Sequence, residues 1–226
     1  MTNVLKYTLS ALLLILLSWT LYHSLRIAIA DISHYPVKHW MEDAAGTPTD
    51  SELTKNITTI KSSIKLNPEN AEYREYLARL YYLRALNNWQ QPSAFRENLI
   101  KAYIQHKTAL KHRPNWPYSW ANLALVKSHL QQFDNEFREA IEKAEQYGPW
   151  EIATNNAIVQ AIFAHWTKMP PPLQQTAISA LERIYQQHKQ TARSLLKHYK
   201  LQTEICTQLT DEKFKKDKSC EHSLHT

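Results

Sequence analysis

Only two glycines, Gly46 and Gly148, occur in the whole chain. Phosphate-cradling loops, dinucleotide fingerprints and nucleophile elbows need glycine where backbone approaches a ligand or takes positive φ. Tight β-hairpins draw on it as well. Nucleotide-binding α/β folds and all-β folds are therefore disfavoured. Leu, Ala, Gln, Lys and Glu dominate the middle of the chain, and these residues favour helix. The expected class is all-α, with one domain plus an appendage in 226 residues.

The stretch Pro114 to Lys127 shows how the helices are arranged. Pro114 stops one helix, and Pro117 suits the first turn of the next, where a missing N–H costs nothing. Trp120, Leu123, Ala124 and Lys127 then recur at helical spacing. These positions resemble the bulky, large and small sites of a tetratricopeptide repeat, with Lys127 in place of the usual aromatic. Leu77, Ala78 and Tyr81 fill the corresponding sites of an earlier repeat that closes at Pro68. Pro114 follows Pro68 by about 46 residues, an insertion of about twelve against the ~34-residue period. Gly148-Pro149 closes the next repeat, and Gly148 is expected in the left-handed position beyond a helix end. The pattern predicts helices over 51–66, 70–87, 94–112, from Pro117, over Phe137 to Ala144, 152–168, 174–187 and 191–206. These make a short tetratricopeptide-like array of about eight antiparallel helices.

Tyr7 to Tyr22 holds no charge, and a spanning helix needs ~20 mostly apolar residues. Lys6 and Arg26 can reach opposite interfaces, with Tyr7, Trp19 and Tyr22 as anchors. Ala28-Ile29-Ala30 has the small-x-small form of a signal-peptide cleavage site, but Arg26 stands between it and the apolar run. The expected organisation is a signal anchor over 1–30, a juxtamembrane linker over 31–50, the helical domain over 51–206 and a charged, mobile tail over 207–226. The short N-terminal tail favours a single-pass topology with the domain in the bacterial periplasm. Cys206 and Cys220 fit that setting if they form a disulfide; free thiols, or a metal site with His222 and His225, are the alternatives.

Net charge is +6. With Lys6 and Arg26 set aside, the remaining 25 basic and 21 acidic residues leave only a mild excess. The basic tail has no interleaved aromatics beyond Phe214, so nucleic acid is not an expected partner. The eleven histidines include no H-E-x-x-H pair. Glu136, Glu139, Glu142 and Glu145 read as a solvated helix face beside Arg138 and Lys143. No catalytic residue, metal or cofactor is expected, and the chain does not read as an enzyme. Trp116, Tyr118, Trp120 and Trp150 read first as packing at repeat junctions and second as a sugar-stacking surface.

The likeness to tetratricopeptide repeats implies a concave groove lined by the first helix of each pair. Carried over position by position, it implies Glu72, Glu75, Arg79 and Tyr82 from the first repeat and Tyr118, Asn122, Leu125 and His129 from the second. The N-terminal anchor, the run Arg113 to Lys127 (R-P-N-W-P-Y-S-W-A-N-L-A-L-V-K) and Gly148-Pro149-Trp150-Glu151 together resemble the VpsP family. Its members accompany bacterial exopolysaccharide biosynthesis clusters. The resemblance, over about residues 50 to 206, implies an inner-membrane scaffold binding protein partners of polysaccharide synthesis or export. A direct glycan-binding or glycan-processing protein, or an adaptor of another envelope system, is the alternative.

Overall fold

The structure is a computed structural model and describes residues 2–43 and 46–220. It is all-α: no strand occurs among the described residues. Helix α1 runs Thr2–Asp43, and eight helices follow it: α2 Asp50–Leu66, α3 Ala71–Asn87, α4 Pro92–His112, α5 Pro117–His129, α6 Asn135–Tyr147, α7 Ile152–Phe163, α8 Pro171–Gln187 and α9 Lys189–Tyr199. Two short helices, α10 Gln202–Cys206 and α11 Glu212–Lys215, complete the described chain. Successive helices from α2 to α5 pack in sequence, α5 also packs on α7, and α8 and α9 follow on α7.

Local sequence explains the helix ends. Thr49 accepts from the Glu52 N–H, and the Glu52 side chain accepts from the Thr49 N–H, a complete capping box for α2. Asn70 and Asp134 cap α3 and α6 through their side-chain oxygens alone, which accept first-turn N–H groups. Proline occupies the first turn of α4, α5 and α8. The segment expected as one helix to Lys168 instead ends at Phe163 and resumes as a 3-10 turn over Trp166–Lys168. The last expected helix breaks at Lys200, which takes φ 55°.

The helix of the apolar segment does not stop near residue 30. It continues through Pro36 to Asp43, so most of the expected linker is helical. The cause is packing. Ala30, His34 and Val37 are buried, and they recur at the spacing of one helix face. Asp31 accepts from the Tyr73 hydroxyl, and Lys38 pairs with Glu72 at 3.3 Å. Arg26 Nη2 donates to the Leu66 carbonyl at 2.8 Å. The N-terminal part of α1 is exposed, and it is long and apolar enough to cross a membrane.

Tail residues 207–220 are likewise packed on the domain. Phe214 is fully buried and stacks on Tyr185 with centroids 4.0 Å apart. Asp217 accepts from Arg193 at 2.6 Å and from the Tyr185 hydroxyl at 3.0 Å. Glu182 accepts from the backbone N–H groups of Thr210 and Asp211. Cys206 and Cys220 form a disulfide with Cα atoms 5.6 Å apart. His222 and His225 lie outside the described residues.

Gly148 departs from its expected conformation. Its φ is −144°, which any residue adopts. Glycine is needed for space: a Cβ here would lie 2.6 Å from Pro117 Cβ. The positive-φ positions fall instead on Gly46, Gln131 and Lys200.

Candidate functional site

The eight residues expected to line one groove divide into three groups. Glu72 is taken up by Lys38 of α1, so α1 covers the first turn of α3. Glu75 is buried and faces α4 and α5 rather than solvent. It accepts from the Ser119 hydroxyl, from Asn122 Nδ2 at 2.9 Å and from His106 Nδ1 at 2.9 Å. Burial alone would raise its carboxyl, but the His106 charge and these hydrogen bonds outweigh that and hold it at about 2. Glu75 thus joins three helices and presents nothing to a partner. Leu125 belongs to the core. Tyr118 donates to Glu151 at 2.5 Å at the α6–α7 turn, which raises its hydroxyl to about 12.

Tyr82 and His129 meet each other: the hydroxyl lies 2.9 Å from Nε2, and Phe95 packs edge-on against the imidazole. Burial, then the neighbouring His165, lowers the His129 imidazole. Burial raises the Tyr82 hydroxyl. This pair links α3 to the last turn of α5.

Arg79, Tyr82 and Asn122 do line one cavity, of about 260 Å³. The C-terminal end of α1 and the residues after it supply the opposite wall: Trp40, Met41, Gly46 and Pro48. Arg79 lies over the Tyr76 ring at 5.5 Å, which holds its guanidinium at the cavity edge. A second cavity, about 590 Å³, adjoins it through Gly46, Pro48 and Leu83 and extends to Leu86, Asn87 and Trp89. Trp89 is 67% exposed. We refer to the two adjoining cavities together as the channel, with Arg79 at its inner end and Leu86 and Trp89 at its outer end. Trp40, Met41, Leu83 and Trp89 were not expected there. The signal for the first two was the run Ala30, His34, Val37, Met41, one helix face continuing past Pro36.

Lys127 lies in the core at the repeat's usual aromatic site, only 2% exposed. Its ammonium donates to Asp134 at 2.9 Å and to Glu136 at 2.7 Å. Burial alone would lower Lys127, but those two bonds raise it above the ordinary lysine value. Glu136 also accepts from Lys107 at 2.6 Å and from the Tyr103 hydroxyl. Burial opposes the shift, yet the bonds from the two lysines and Tyr103 bring Glu136 to about 2. Glu136 is thus part of an ion cluster rather than a purely solvated face. Among the aromatics, Trp120 donates to the Pro114 carbonyl at 2.7 Å, Trp116 lies against Tyr118, and Trp150 is 61% exposed.

No family model matches the chain, and no curated protein matches it. Among solved structures it is similar to the crystal structure of a "putative protein binding protein" from Bacteroides ovatus ATCC 8483. Identity is 17%, over 86% of this chain and 96% of that one, with a TM-score of 0.31. A TM-score that low does not establish a shared arrangement of helices.

Proposed function

We propose that this chain is a non-enzymatic scaffold, anchored in the bacterial inner membrane by α1, that holds protein partners in the channel between α1 and the α3/α5 face. The observation that carries the reading is the channel itself: Arg79 and Asn122 at one end, Leu83, Leu86 and Trp89 along the other, built onto a helix that is long and apolar enough to span a bilayer. A mixed apolar and cationic trough of this kind suits a short peptide segment or a partner helix. The tetratricopeptide-like pairing of α3 with α4 and of α5 with α6 supports an adaptor, and the Cys206–Cys220 disulfide supports an oxidising compartment, the periplasm. The resemblance of Arg113 to Lys127 and Gly148 to Glu151 to the VpsP family makes exopolysaccharide synthesis or export the process served.

Site-specific photocrosslinking tests this. A photoreactive residue at Leu86 or Trp89 should trap a component of polysaccharide synthesis or export in living cells, and one at Lys143 on α6 should not. Trapping equal to that control at both positions sinks the channel. A specific partner from an unrelated envelope system keeps the adaptor and removes the polysaccharide role.

A further inference from the structure

The direction of α1 fixes which edge of the domain faces the membrane. Arg26 contacts Leu66, Asp31 contacts Tyr73, and Trp40 and Met41 share the channel with Arg79 and Leu83. Helix α1 therefore runs parallel to α3, and its apolar part leaves the domain at the N-terminal end of α3. From Tyr7 to Leu25 there is no Asp, Glu, Lys or Arg. At ~1.5 Å per residue that stretch is about 28 Å long, close to the ~30 Å hydrocarbon core. If it spans the bilayer, Arg26 and the end of α2 lie at the headgroups.

Four inter-helix turns share this edge because the helices alternate in direction. They are the α2–α3 turn (67–70), the α4–α5 turn (113–116), the α6–α7 turn (148–151) and the α8–α9 turn at His188, where Gln187 Nε2 donates to the Trp150 carbonyl at 3.2 Å. Contacts between them are direct. Glu75 and Ser119 tie the start of α3 to the start of α5, Gly148 abuts Pro117, and Tyr118 bonds Glu151. Lys65, Lys111 and Arg113 are exposed along the edge. The Arg113 guanidinium lies 3.2 Å from the Trp116 ring centroid, and Trp150 in the α6–α7 turn is exposed. The acids at this edge include Glu69, Glu72, which is held by Lys38, and Glu151, which is held by Tyr118. The opposite edge has a different character. Its α3–α4 turn (88–91) has no charge, its α5–α6 turn (130–134) has only Asp134, its α7–α8 turn (164–170) has Lys168, which donates to Gln131, and α2 begins there with Asp50 and Glu52.

Tryptophan concentrates at the glycerol and carbonyl level of a bilayer, and Lys and Arg beside it bind phosphates. We infer that the edge formed by the α2–α3, α4–α5 and α6–α7 turns rests on the lipid headgroup layer, with Trp150 dipped into it and Lys65, Lys111 and Arg113 against phosphates. This rests on the reading that Tyr7 to Leu25 spans the bilayer. The domain then has two attachments to the membrane, one through α1 and one through its own surface.

The test uses the full chain in nanodiscs of phosphatidylcholine and phosphatidylglycerol, with the native disulfide oxidised. Single variants Trp150→Cys, Trp89→Cys and Leu14→Cys carry a polarity-sensitive fluorophore. Headgroup spin-labelled lipid should quench the label at 150 severalfold more than the label at 89, and acyl-chain spin-labelled lipid should quench the label at 14. Adding Lys65→Glu, Lys111→Glu and Arg113→Glu should reduce quenching at 150 by about half, with helicity and quenching at 14 unchanged. Equal quenching at 150 and 89, with 14 still quenched, overturns the surface contact alone. An unquenched label at 14 overturns the spanning reading and this inference together.

Discussion

Glu75 and His106 form a buried pair: Oε2 lies 2.9 Å from Nδ1, and neither side chain is more than 6% exposed. Ser119 and Asn122 complete the carboxylate's shell, so α3, α4 and α5 meet at one charge. Removing one member of a buried, hydrogen-bonded pair strands the other. Glu75→Ala should destabilise the domain by about 3–5 kcal/mol, and Glu75→Gln by less, since the amide oxygen still accepts. Urea unfolding followed by circular dichroism measures both.

The same group gives a pH dependence. Its folded carboxyl is held at about 2, below the ordinary value of 4.5. In that window the unfolded chain binds more protons than the folded chain, so stability rises with pH there. The Glu75 contribution is complete above the ordinary value and is lost as pH falls toward about 2. Glu136 acts in the same direction. Denaturant midpoints should fall steeply on acidification through this range, and Glu75→Gln should flatten the profile.

Lys127 is a second buried charge, but its acids reach the surface. Asp134 is more than half exposed, and Glu136 keeps Lys107 and Tyr103. Lys127→Met should therefore cost only about 1–3 kcal/mol. A double-mutant cycle with Glu136→Gln should give a coupling energy above about 0.5 kcal/mol. Additivity of the two changes would show that the lysine is held by packing alone.

Gly148 and Lys200 call for opposite substitutions. A methyl group at 148 meets the Pro117 ring, so Gly148→Ala should destabilise by about 1–3 kcal/mol. Lys200 has φ 55°, a conformation glycine takes without steric cost, so Lys200→Gly should stabilise by about 0.5–1 kcal/mol. Thermal melts of the two variants should shift in opposite directions.

The disulfide closes a loop whose ends are separated by 14 in sequence. Replacing Cys206 and Cys220 by Ala should cost about 3 kcal/mol. Trypsin should then cut first at Lys213, Lys215 and Lys218, while the fragment from α2 to α7 survives on a gel. Unchanged cleavage in the double variant would show that Phe214 and Asp217 alone hold the segment.

The all-α class and most helix boundaries could be read from proline, the capping box at Thr49 and helical apolar spacing, because these signals are local. What could not be read depended on distant partners. A linker was expected over 31–50, yet α2 and α3 supply enough burial at Ala30, His34 and Val37 to carry the helix through Pro36. Lys213 to Lys218 looked like a solvated charge run, yet Phe214 found Tyr185. Gly148 marked a real helix end, but its reason was the proximity of Pro117 rather than its own dihedral. Among the groove residues, Arg79, Tyr82 and Asn122 do share a cavity, whereas Glu75 faces inward because His106 lies on a helix that no local pattern connects to it.

The unbroken helix from Arg26 to Trp40 also sets a height. At ~1.5 Å per residue, Trp40 lies about 20 Å along the helix from Arg26. With Arg26 at the headgroups, the inner end of the channel stands at about that distance from the lipid, and no swivel intervenes. In the proposed arrangement partners are selected by reach as well as by fit: a segment tethered closer to the membrane passes beneath the channel, and one carried at the right distance meets it.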